Sequence, residues 1–250
     1  MLIPRQLQYL RPLTKFLVSP PMSDNSPNNI QISARSAAVA HSADCAIFGC
    51  TEGTLRVLLV RRGVEPFKDC WVLPGGAMQA NETLEATATG LLRELVNVDN
   101  VPMRQVATYS DPDRHPVRRV VTTSFFALVR PEDHHPEARR YLDEVRWCPL
   151  DELPELGFDH AILLADAYAA LRDGLSHQPL AFHLLPKSFT LKEAQEVFEA
   201  ILGEDLDRRN FRRKILAYDF LVNTDEVKTG VKGGPSLYQI DKKRFNEHLR

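Results

Sequence analysis

The chain has few cysteines, no long apolar run and almost no net charge, and each shortage removes a class of function. Its four cysteines, Cys45, Cys50, Cys70 and Cys148, form no Cys-x-x-Cys pair in 250 residues. That argues against a structural zinc site, and a disulfide framework would be unusual in a chain of this length. The thiols are expected to be reduced and the protein to be cytoplasmic. No run approaches about 18 apolar residues, so neither a membrane span nor a membrane partner is expected. A net charge of −2 provides no general attraction to nucleic acid, so any such attraction must be local. Internal repeats are absent, and low complexity is confined to the first residues.

What is present begins late. Residues 1–41 open basic, then run through Pro, Ser and Asn around 19–29, and are expected to form a disordered N-terminal tail. A short amphipathic leader is the alternative. From about 42 the pattern changes. DCAIFGC (44–50) and TLRVLLVRR (54–62) flank the turn TEG and predict a hairpin. WVLPGG (71–76), MRQVATYS (103–110), RRVVTTSFFALV (118–129) and EVRWCPL (144–150) predict further strands. ETLEATATGLLREL (82–95) has apolar residues at 84, 88, 91, 92 and 95, which is helical spacing, with Asn81 as a cap candidate. DHAILLADAYAALRDGL (159–175) predicts another helix, with Asp159 as its cap.

Beyond 180 the order is helix, turn, helix, hairpin. Thr190-x-x-Glu193 is a capping box before the helix that Gly203 ends. Residues 206–221 predict a second helix capped by Asp207, with Phe211, Ile215 and Tyr218 on one side. A basic, glycine-rich hairpin tip follows. This is the element order of a winged helix. From Asp207 onward eleven basic residues face six acidic ones, an excess of five positive charges in a slightly negative chain. The candidate DNA-binding residues are Arg208, Arg209, Asn210, Arg212, Arg213, Lys214 and Lys232. Arginine forks suit phosphates and guanine edges, and an asparagine can read adenine.

A fourth shortage is more specific. GGAMQANETLEATATGLLRELVNV (75–98) has a glycine turn and then a helix poor in paired carboxylates. Together with VRWCPLDELP (145–154) and the strand order, it makes residues 42–150 resemble a Nudix domain. That resemblance implies carboxylates at 91, 94 and 95, three and four residues apart on one helix face, holding Mg²⁺ against a diphosphate. Only Glu94 is there. Gly90, Leu91, Leu95 and Asn97 depart from the frame, and sliding it onto Arg93-Glu94 puts Asn97 and Val98 where a Glu pair belongs. Gly76, Glu82, Arg93 and Glu94 remain as a relic of the box. No catalytic residue is expected, and no cofactor; Glu94 would serve Mg²⁺ only if hydrolysis were retained.

The segments PLAFHLLPKSFTLKEAQEVFEAILG and LDRRNFRRKIL extend the resemblance to the Nudix-related transcriptional regulators, which include NrtR-type repressors of NAD metabolism and arabinose-responsive AraR-type proteins. The implied design is an α/β (α+β) Nudix-like sandwich over 42–155, a linker helix over 156–180 and a C-terminal winged helix-turn-helix over 181–250. It implies a homodimer with two partners, a double-stranded DNA operator and a small-molecule effector. The effector would be ADP-ribose, another NAD metabolite or a pentose. The same resemblance points to Arg61, Arg62, Asp111, Arg114, Arg118 and Arg119 as ligand-binding residues. Two other readings stay open: a Nudix hydrolase of ADP-ribose or another nucleoside diphosphate derivative, and a protein-interaction module.

Overall fold

The computed structural model describes residues 39–99, 101–230 and 233–249. The predicted hairpin forms from β1 (Ala40–Thr51) and β2 (Thr54–Arg62). β1 starts two residues inside the expected tail, because Ala40 and His41 pair with Val120 and Val121 of β6 (Val120–Leu128). The rest of the tail lies outside the described residues. β3 (Trp71–Val72) and β7 (Leu142–Pro149) pair with β2, β4 (Gly75–Ala77) pairs with β1, and β5 (Arg104–Tyr109) pairs with β6. Of these pairings only β1–β6 is parallel.

β1 is buried along both faces, as a central strand must be. Its alternation divides the core. Ala43, Cys45 and Ile47 join Ala88, Leu92 and Leu95 of α1 (Leu84–Val96). Ala46 and Phe48 point the other way, toward Leu163, Leu164, Ala167 and Leu171 of α2 (His160–Gly174). That second cluster continues without a break into Phe182, Phe189, Ala194, Ile201 and Phe220 of the C-terminal unit. The two units therefore share a core, with α2 between them, and Tyr168 of α2 donates to the Ile201 carbonyl of α3 (Leu191–Leu202) at 2.9 Å.

Several local expectations are corrected. Thr83, not Asn81, caps α1; its hydroxyl accepts from the Ala86 amide. Asn97 ends that helix in the left-handed region (φ 57°), the conformation that glycine or asparagine adopts at least cost. Asp159 occupies the N-cap position of α2 but makes no capping bond, because both its oxygens are taken by Arg114. The helix expected over 206–221 is α4 (Arg208–Ile215). It stops there because Tyr218 and Phe220 leave the helical path to stack on each other at 4.8 Å and close around Phe182. The capping box of Thr190 and Glu193 is present, as is the Asp207 cap. β8 (Leu221–Val227) and β9 (Ser236–Ile240) make the wing. A final helix, α5 (Lys242–His248), was not expected; Asp241 caps it, and Phe245 packs on Phe220 at 5.2 Å.

Candidate functional site

A cavity of about 820 Å³ opens beside β1 and β4, walled by Leu95, Gly75, Gly76, Arg62, Tyr141 and the loop after β5. Three of the six predicted ligand residues, Arg62, Arg114 and Arg118, line it. The other three do not. Arg61 pairs across the sheet with Glu144 of β7 at 3.5 Å. Arg119 donates to the carbonyls of Asp111 and Ser110 at 2.9 and 2.8 Å, and the Asp111 carboxylate accepts from the Asp113 amide. Alternation along β2 turns Arg61 away from the cavity, while turn chemistry engages Asp111 and Arg119 in shaping the loop.

Arg114 is also not free. Its side chain is 4% exposed, and it forks onto Asp159 at 2.9 and 2.7 Å, with Asp44 at 3.8 Å. Asp44 accepts from Thr122 at 2.6 Å and lies 3.7 Å from His160 Nε2. Gly75 makes room for it: a Cβ there would lie 1.9 Å from the Asp44 carboxylate. The sequence does not single out Asp44 and His160, since a lone acid in a buried strand and a histidine opening a helix carry no spacing signal.

His160 accepts the Leu73 amide hydrogen on Nδ1 at 2.9 Å, so its proton sits on Nε2. Burial pushes its pKa down, against the opposing pull of Asp44 and Asp159. A second proton on Nδ1 would also break the Leu73 bond. Folding then favours neutral imidazole. That stability is full above the usual 6.5 and is lost as pH falls below it, where the unfolded chain binds the proton. His115 and His183 are lowered too, each first by burial. Thermal melts should therefore show a lower midpoint at pH 5.5 than at pH 7.5. His160→Gln, which keeps an acceptor for Leu73, should remove part of that difference; an unchanged pH profile would contradict the assignment.

The cavity wall also carries rings. Phe158 stacks with His160 at 5.3 Å and His115 at 5.5 Å, and the Arg62 guanidinium lies 5.3 Å from the Phe158 ring. Arg62 is steadied by its Nε bond to the Pro66 carbonyl at 2.8 Å. Arg118 stays exposed at the rim.

The relic of the metal helix does not fit a divalent cation. Leu91 lies against Gly76, where a Cβ would meet its methyl at 2.8 Å, and Leu95 is 1% exposed in the core. Glu94 is paired with Arg140, Glu82 accepts from Thr87 at 3.1 Å, and Arg93 is exposed. Among the described residues no three His, Cys, Asp or Glu side chains could hold a metal ion. Two leucines and one engaged carboxylate supply too few oxygens for Mg²⁺.

At the other end, Phe211 and Ile215 bury α4 while Arg208, Arg209, Asn210, Arg212, Arg213 and Lys214 are all exposed. At about 100° per residue, Arg209 and Arg213 lie farthest from the buried side. Arg213 donates to Asn210 at 3.1 Å. A groove of about 1000 Å³ runs between α3, α4 and the wing, with Arg208 and Arg212 on its wall. Lys232 lies outside the described residues.

Residues 40–167 match the NUDIX domain, and residues 181–240 match the NrtR DNA-binding winged helix domain. The chain is 32% identical over 203 residues to the ADPR responsive transcriptional repressor NtrR of Acinetobacter baylyi, covering 80% of this chain and 81% of that one. The chain belongs to the NrtR family. It is thus a transcriptional regulator that joins a Nudix domain to a winged helix. The crystal structure of Shewanella oneidensis NrtR complexed with a 27mer DNA superposes with a TM-score of 0.71 at 28% identity, over 82% of this chain and 95% of that one. An ADP-ribose pyrophosphatase of Methanocaldococcus jannaschii is 31% identical over 121 residues, 48% of this chain and 70% of its own length. In this family member no described helix is long and apolar enough to cross a membrane.

Proposed function

We propose that this chain is a repressor that binds an operator duplex through α4 and the wing and releases it on binding ADP-ribose, which it does not hydrolyse. The observation that carries the reading is the pair Leu91 and Leu95 on a helix that still borders an 820 Å³ cavity. The space for a ligand is kept while the cation ligands are gone. ADP-ribose is chosen because the Acinetobacter relative is named for its response to it. The chemistry agrees. Arg62 and Arg118 offer charge to a diphosphate, and Phe158, His115 and Tyr141 offer rings to a base. A free pentose would use little of that wall.

As a homodimer the chain would meet a palindromic site, one half per subunit. Release requires that ADP-ribose favour one of two conformations, and operator must then weaken ADP-ribose binding by the same factor. α2 is placed to carry that coupling: it starts at Asp159 and His160 beside the cavity and ends against the C-terminal core.

Saturating ADP-ribose should raise the thermal midpoint and lower operator affinity, with no turnover above buffer in Mg²⁺ or Mn²⁺. The hydrolase reading, which the pyrophosphatase relative keeps open, instead requires metal-dependent turnover that Glu94→Gln abolishes.

A further inference from the structure

The ladder of the wing is interrupted part-way along. β8 and β9 lose regular register between Asn223 and Val227, and Asp225 there has φ 59°. Past the irregularity the hairpin runs to a tip with positive φ at Gly230, Gly233 and Gly234. The ladder alone therefore fixes the direction of the outer wing poorly. Among the described residues of that outer wing, the Lys228 side chain crosses to the body of the domain. Lys228 Nζ lies 2.7 Å from Glu193 Oε1, and the Lys228 amide donates to the Pro235 carbonyl at 2.9 Å.

Glu193 is already in place. Its Oε2 accepts from the Thr190 amide and the Thr190 hydroxyl, both at 2.9 Å, which closes the capping box of α3. Burial pushes its carboxyl pKa up, but the bonds from Lys228 and Thr190 outweigh that and leave it below the ordinary range. The carboxylate is therefore charged and stationary, so holding it costs the pair little further entropy. The pair spans the groove whose other walls are Arg208, Phe211 and Arg212 of α4.

We propose that the Lys228–Glu193 pair is a strut that sets the angle of the wing to α4, making Lys228 a positioning residue and not a phosphate contact. The proposal rests on the DNA-binding reading. A half-exposed pair adds little stability of its own, so its consequence is geometric: a swung wing and α4 no longer meet the duplex together. A lysine engaged by a carboxylate also offers no net charge to a phosphate.

The test uses the full chain and a duplex enriched by in vitro selection against the wild type. A random duplex of equal length is the comparison. Lys228→Met should weaken the selected duplex by about two- to 150-fold, the range for coupled groups in direct contact. It should leave the slope of log affinity against log salt as in the wild type. Glu193→Gln keeps the capping box, which accepts glutamine, and should weaken binding equally. The double variant should be no worse than either single one, and Lys228→Arg should restore binding. If Lys228 instead held a phosphate, Lys228→Met would lower the slope by about 0.9 and Glu193→Gln would tighten binding; that pattern overturns the proposal, as do two single variants that bind like the wild type. A wild-type chain that enriches no duplex overturns the DNA-binding reading and the strut with it.

Discussion

Replacing Arg114 with alanine is expected to lower the unfolding free energy by about 3–5 kcal/mol, the cost of leaving a buried charge without its partner. The guanidinium makes two bonds to Asp159 and approaches Asp44, and the three side chains are 4%, 16% and 9% exposed. Without it, two carboxylates face each other across a low-dielectric gap beneath the cavity. Urea unfolding measures the loss. Lysine at 114 keeps the charge but not the planar fork, so it should recover only part of the stability. Replacing Arg114 with methionine together with Asp159→Asn removes a charge of each sign and should recover part as well. A stability within about 1 kcal/mol of wild type for the alanine variant would show that the fork is dispensable. ADP-ribose affinity should fall with the same variant, since the loop that presents His115 and Arg118 is tied to α2 through Arg114.

Operator binding should respond most to Arg213 and Arg209. Either one, changed to alanine, is expected to lose about 1–3 kcal/mol if it reads a guanine, and the loss should then be confined to one base pair. If it holds a phosphate, binding should weaken for every sequence and the salt slope should drop by about 0.9. Anisotropy titrations at several salt concentrations separate the two. Lys242→Ala and Lys243→Ala on α5 serve as charge-matched controls, because they test whether basicity alone suffices. Equal binding by the alanine variants at 209, 212 and 213 would remove α4 from the interface.

Much of this site was legible residue by residue. The helix of 82–95 and the capping box at 190–193 follow from apolar spacing and cap chemistry, both of which act within one turn. The missing carboxylates at 91 and 95 needed no coordinates. Less visible was the end of α4, because a helical stripe continues through Tyr218 until aromatic packing around Phe182 draws it away. For α5 the local signal is the Asp241 cap at its start.

The amino-acid order was enough to mark most strands and helices, which helix lost its cation ligands and where positive charge accumulates, because those properties depend on neighbours three or four positions away. The fold alone decided which of six candidate residues face the cavity. It turned Arg114 inward onto Asp159, 45 positions along the chain, and laid Lys228 on Glu193, 35 positions away. It also joined the two units through one shared apolar cluster around α2. A side chain's direction and partner are settled by how distant strands and helices pack, and a linear pattern carries no record of that packing.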